Sequence, residues 1–169
     1  IECIGPDTVY VRDYDRVLAY RRSDGTKRWT YTANEGSLSL PSLVGDTLLV
    51  QENATVHAVA VGDGTARWSG QFAPSQQPFS TIVACNGDAY VPGDQTYFEV
   101  HPQTGFQRRS FGTETLGTLV AADADSLFWW ADGTLGSTDH SGAVQWKTSL
   151  GRSNPPSGRA IAVTDEAVL

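Results

Sequence analysis

Apolar residues along this chain fall in short runs separated by Gly, Asp, Asn and Pro, and no segment shows the three-and-four spacing of an amphipathic helix. One stretch, residues 37–74, reads as a complete unit. SLPSLV predicts a first strand that ends at the Gly45-Asp46 pair, which supplies the positive φ of a tight hairpin. TLLVQ predicts a second strand, followed by a polar turn at Glu52 to Thr55. VHAVAV is a third, turning at VGDG, and ARWSGQF is an outer fourth. APSQQP then leads away, its prolines fitting a connection and not a central strand. The unit is a four-stranded antiparallel meander, and its inner strands are apolar on both faces, as in a sheet that packs against a neighbour on either side.

The same pattern recurs. IECI, TVYVR, RVLAYR and KRWTY precede it; TIVAC, AYVP, YFEVH and QRRSF follow, then TLVAA, SLFWW, TLGSTD and VQWKT, and GRAIAV with EAVL opens a fifth unit. A glycine with, usually, a tryptophan four residues later anchors each unit: Gly25 and Trp29, Gly64 and Trp68, Gly105 and Arg109, Gly142 and Trp146. The glycines are 39, 41 and 37 residues apart. An acidic residue before the second strand keeps the same period at Asp7, Asp46, Asp88, Asp125 and Asp165. Short strands on a period of about 40 residues predict an all-β fold, a β-propeller of four-stranded antiparallel blades. The expected blades span approximately 1–36, 37–78, 79–116 and 117–157, with the start of a fifth at 158–169. A ring of seven or eight such blades needs roughly 280 to 320 residues, so the 169 residues read as about four blades, a piece of a larger propeller.

Third strand, turn and outer strand together carry a recognisable motif. Ala19, Gly25 and Trp29, repeated as Ala58, Gly64 and Trp68 and as Gly136, Gly142 and Trp146, resemble the tryptophan-docking repeat of the pyrroloquinoline-quinone (PQQ)-like propellers. The third unit keeps Thr104-Gly105 but carries Glu99 and Arg109 at the alanine and tryptophan positions. The resemblance covers almost the whole chain and implies that Trp29, Trp68 and Trp146 pack across to the adjacent blade as core. Arg109 either stacks in the same slot through its flat guanidinium or weakens that seam.

Quinone-dependent dehydrogenases of this type resemble one another in an adjacent cysteine pair, a calcium held by Glu and Asn, and an acidic base. The two cysteines here, Cys3 and Cys85, are far apart, expected to be separated by a blade and unbridged, and no Glu/Asn/Asp group matches that site. His57, His101 and His140 fall at three different places in the repeat and are expected as scattered surface or turn residues that share no metal. The acidic clusters at 13–15 and 123–125 continue into no calcium loop. No catalytic, cofactor or metal site is therefore expected. A net charge of −7 argues against nucleic acid, which is bound through clustered Lys and Arg, and no stretch approaches the ~20 apolar residues of a membrane span.

What remains is surface. The turns between second and third strands and the crossings between blades share one face of a propeller, where Tyr14, Phe79, Trp130, Asp132 and Arg152 are the expected partner contacts; aromatic residues and arginine are enriched at interaction hot spots. The resemblance extends to the propeller lipoprotein of the bacterial outer-membrane barrel-assembly machinery and to sensor portions of membrane-anchored kinases. It implies a non-catalytic scaffold or ligand-sensing module in an extracytoplasmic setting, with a protein partner or the remaining half of the propeller. The alternatives are a fragment of a PQQ-dependent dehydrogenase and a half-propeller that closes a ring as a homodimer.

Overall fold

The computed structural model describes residues 3–34, 36–72, 82–92, 96–112 and 118–151. Among these residues sixteen strands form four separate sheets, each four-stranded and antiparallel, with strands in chain order from one edge to the other. The first sheet is β1 (Cys3–Ile4), β2 (Thr8–Asp13), β3 (Arg16–Arg21) and β4 (Lys27–Thr32). The second is β5 (Ser42–Val44), β6 (Thr47–Glu52), β7 (Thr55–Ala60) and β8 (Ala66–Gln71). The third is β9 (Val83–Cys85), β10 (Asp88–Pro92), β11 (Thr96–Val100) and β12 (Gln107–Gly112). The fourth is β13 (Thr118–Ala122), β14 (Ser126–Ala131), β15 (Thr134–Asp139) and β16 (Val144–Ser149). No helix occurs among the described residues. This is the all-β, four-blade partial propeller that the repeat predicts; the expected fifth unit, 158–169, lies outside the described residues.

One expected strand is shorter than its apolar run. SLPSLV pairs only from Ser42, because Pro41 has no amide to donate to the ladder; upstream, Leu38 makes a single bridge to Glu52. The hairpins follow from local chemistry. Gly25, Gly64, Gly105 and Gly142 all have positive φ at the turn into the outer strand. Beside each turn the register slips by one residue, at Ala19/Tyr20, Ala58/Val59, Glu99/Val100 and Ser137/Thr138. A bulge at the same place in every blade adds twist to its outer hairpin.

Successive side chains point to opposite faces of a strand, so the continuously buried run of β6 fills both faces of its sheet, and the core lies between sheets. Tyr10, Val17, Ala19 and Trp29 of the first sheet meet Leu48, Val50 and Val59 of the second. Leu49, Val56 and Ala58 of the second meet Ala89, Val91 and Val100 of the third. Tyr90, Tyr97 and Phe111 of the third meet Leu119, Leu127 and Trp129 of the fourth. We refer to these as seams one, two and three. Burying such a side chain contributes about 1.5–3 kcal/mol, so stability resides in the seams. The crossings are tied to one rim: Ala33, Phe72 and Leu150, each just past an outer strand, donate their amides to the carbonyls of Asp15, Ala54 and Gly133 in the turns between second and third strands.

Candidate functional site

Seams one and two close in the same way. The Trp29 indole lies flat against Gly64, so close that a Cβ there would fall 2.7 Å from the ring, and its Nε1–H donates to the Val61 carbonyl at 2.9 Å. Trp68 repeats this against Gly105, with its Nε1–H on the Pro102 carbonyl at 2.7 Å. Trp29 is 8% exposed and Trp68 partly buried, as expected of docking residues. Trp146 departs from the expectation of a core residue. It is 38% exposed, with the Phe128 ring 6.2 Å away.

Seam three is built differently. Arg109 stands opposite Glu99 in the β11–β12 register, where Trp29 stands opposite Ala19 and Trp68 opposite Ala58. Its Nε–H donates to Glu99 Oε2, and Nη1–H reaches the His140 carbonyl at 2.7 Å. That carbonyl occupies the turn position of Val61 and Pro102, so the guanidinium makes the hydrogen bond of the absent indole. It does not supply the plate: no atom lies within 4 Å of the Cβ that Gly142 lacks. The His140 ring completes the contact, with Nε2–H donating to the Asp123 carbonyl at 3.1 Å and Nδ1 accepting the Tyr90 hydroxyl at 2.7 Å. Burial pushes the Tyr90 phenol well above its usual pKa, which keeps it a donor. Arg108 pairs with Asp88 at 2.6 Å beside them. Of the two expectations for Arg109, it does take the tryptophan's slot, through charge and not through stacking on the turn.

The register also corrects one assignment. Spacing from Gly142 places Gly136 at the alanine position of the motif. The turn of the fourth sheet is one residue shorter, so Ser137 faces Trp146, as Ala19 faces Trp29. Phe128, which pairs with Ser137, then corresponds to Tyr10, and its ring lies 6.2 Å from Trp146 where Tyr10 lies 5.7 Å from Trp29. Gly136 instead faces Trp129, whose ring covers the space a side chain would need.

The rim expected to carry partner contacts is formed by the turns between second and third strands. Tyr14, Asn53 and Asp132 occupy the same place in the first, second and fourth sheets, all with left-handed φ, at 53°, 52° and 45°. Asn and Asp tolerate this conformation through local hydrogen bonding; a tyrosine there is an outlier. Tyr14 is 69% exposed, and its carbonyl accepts the Leu38 amide at 2.8 Å, which fixes the tip. Asp132 is also exposed. Trp130 differs from the rim residue expected: it is 5% exposed, and its Nε1–H has no hydrogen-bond partner. Phe79 and Arg152 lie outside the described residues.

Comparison with known proteins matches this architecture. The family model described as outer membrane protein assembly factor BamB, of the PQQ-type propellers, matches residues 4–118. The chain belongs to this family. BamB from Moraxella catarrhalis is similar in structure, with a TM-score of 0.68 at 18% identity over 86% of this chain and 46% of that one. The chain thus spans just under half the length of that relative. No curated protein matches it.

Within this BamB-like propeller, sequence reading missed a second repeated device. The residue before each docking position reaches back across the sheet to the opening turn. Arg28 binds Asp7 at 3.0 Å and Thr8 at 2.6 Å; Arg67 binds Asp46 at 2.6 Å and Thr47 at 2.8 Å; Arg108 binds Asp88; Gln145 binds Ser126 at 2.9 Å. A polar residue three positions after every anchor glycine was the available signal. Of the histidines, His57 is buried and not a surface residue: its Nε2 lies 3.2 Å from Glu52 Oε2, beneath the Tyr31 ring. Among the described residues no group of three His, Cys, Asp or Glu is arranged to hold a metal, and Cys3 and Cys85 are free thiols.

Proposed function

We propose that this chain is a protein-binding scaffold working outside the cytoplasm in outer-membrane protein assembly, the role in the description of its family. Tyr14 carries the reading. The repeat's own residues are consumed in the seams, whereas Tyr14 holds a large aromatic ring in solvent at a turn position where its counterparts are Asn53 and Asp132. An exposed aromatic on a strained, pinned tip stabilises no seam, and tyrosine is enriched among the residues that dominate binding at interfaces. Asp132 on the same rim, with Phe79 and Arg152, would extend the contact; Trp130 supports it from inside.

A photo-reactive phenylalanine analogue at position 14, compared with one at Asp24 on the opposite rim, tests this in cells. A discrete adduct with a protein of outer-membrane assembly is expected from position 14 alone. Equal labelling from both positions, or none from either, rejects the reading. Tyr14→Asn should abolish the interaction while leaving the thermal midpoint unchanged or raised, since asparagine accepts left-handed φ more readily.

A further inference from the structure

The three seams differ in what opening them would expose. Seams one and two end on an uncharged indole over a glycine, which gains little hydration on separation. Seam three ends on Arg109, Glu99, Tyr90 and His140, groups that water solvates well once they part. Seam three also contains three polar atoms that are buried without a hydrogen-bond partner, Asp88 Oδ1, Trp129 Nε1 and Thr138 Oγ1, where seam two contains one, Gln51 Oε1. Strand register puts them there. Asp88 lies opposite Cys85 and Thr138 opposite Leu127, while Cys85, Leu127 and Trp129 all pack in the cluster between the third and fourth sheets. Each orphaned atom gains a water partner if the sheets separate, and so lowers the cost of separation.

We propose that seam three is the hinge at which this stack of blades opens, because its docking contact is an ion pair where seams one and two close on an indole. Glu99 and Arg109 replace the alanine and tryptophan of the repeat together, as the two halves of one ion pair. The latch holds while Arg109 spans from Glu99 to the His140 carbonyl, and its release parts the fourth sheet from the third, leaving seams one and two docked. Local opening of this kind is a property of the least protected contacts in a fold.

Hydrogen exchange of the full chain, followed by NMR, tests it. The Leu119 amide donates to the Tyr97 hydroxyl across seam three at 2.6 Å, and the Trp29 and Trp68 indole N–H groups cross seams one and two. Relative to its unfolded-chain rate, Leu119 should be at least about tenfold less protected than either indole. The double variant Glu99→Ala with Arg109→Trp restores the apolar dock on Gly142. It should raise Leu119 protection by at least about tenfold and leave Trp29 and Trp68 unchanged. Equal protection in the parent chain, or no gain in the double variant, overturns the hinge. Should the double variant fail to fold, Glu99→Gln keeps the shape and removes the charge. It should lower protection at Leu119 alone, and a parallel fall at all three sites overturns the proposal.

Discussion

Gly64 and Trp29 touch so closely that the alanine Cβ absent from Gly64 would sit 2.7 Å from the indole, while its φ of +78° independently excludes most side chains. Gly25 has the same left-handed backbone, at +70°, with nothing within 4 Å. The pair separates two reasons for one residue type. Gly25→Ala should cost about 1–2 kcal/mol, the left-handed term alone. Gly64→Ala should cost about 1–3 kcal/mol more, from forcing the indole off its dock. Urea unfolding of both variants checks this; equal losses would mean the close approach carries no energy.

Gly136 has no positive φ, and its only requirement is space for Trp129, whose Cε2 would lie 2.5 Å from an added Cβ. Gly136→Ala should therefore destabilise by about 1–3 kcal/mol through overpacking. Shrinking the ring in the same chain, Trp129→Leu, should make the second substitution nearly free. A double-mutant cycle measures that coupling.

Trp130 distinguishes packing from contact. At 5% exposure, Trp130→Ala should cost about 3–5 kcal/mol in chemical denaturation, the range for a buried aromatic. Trp130→Phe should cost less than about 1.5 kcal/mol, since the N–H it deletes has no partner. A neutral alanine variant would return Trp130 to the rim.

Acid should weaken the fold through its turn aspartates. The Thr26 hydroxyl and amide hold the Asp24 carboxyl down to about 2; the amide and hydroxyl of Thr65 lower Asp63, the Ser141 hydroxyl lowers Asp139, and the Arg67 guanidinium lowers Asp46. A carboxylate whose folded pKa lies below its unfolded value of 3.8 leaves the unfolded chain binding more protons between the two. Stability contributed this way is complete above about pH 4 and is lost as pH falls toward 2. Urea midpoints measured across that window should fall with acid, and Asp24→Asn should flatten part of the slope.

The anchor glycines, the turns and all sixteen strands were legible in the chain, because each depends on neighbours within a few residues: a glycine for left-handed φ, alternation for a two-faced strand, a proline to end pairing. Arg109 and Glu99 were visible as departures from the repeat. That they pair was within reach of hairpin register, being ten residues apart; that they grip His140, thirty-one residues from Arg109, was not. The Arg28, Arg67 and Arg108 clamps follow the period and went unread because arginine on an outer strand looks like ordinary solvated surface.

By itself, then, the sequence determined the blade: its strand count, its turns, its period and the docking tryptophans, all consequences of local backbone sterics repeated along the chain. Only tertiary structure decided what each blade face meets. A turn shortened by one residue put Ser137, not Gly136, opposite Trp146. A neighbouring sheet made Tyr90 and His140 partners and left Tyr14 in solvent. The physical reason is that a strand presents its side chains without regard to their destination; burial, charge pairing and orphaned polar atoms are properties of two surfaces brought together.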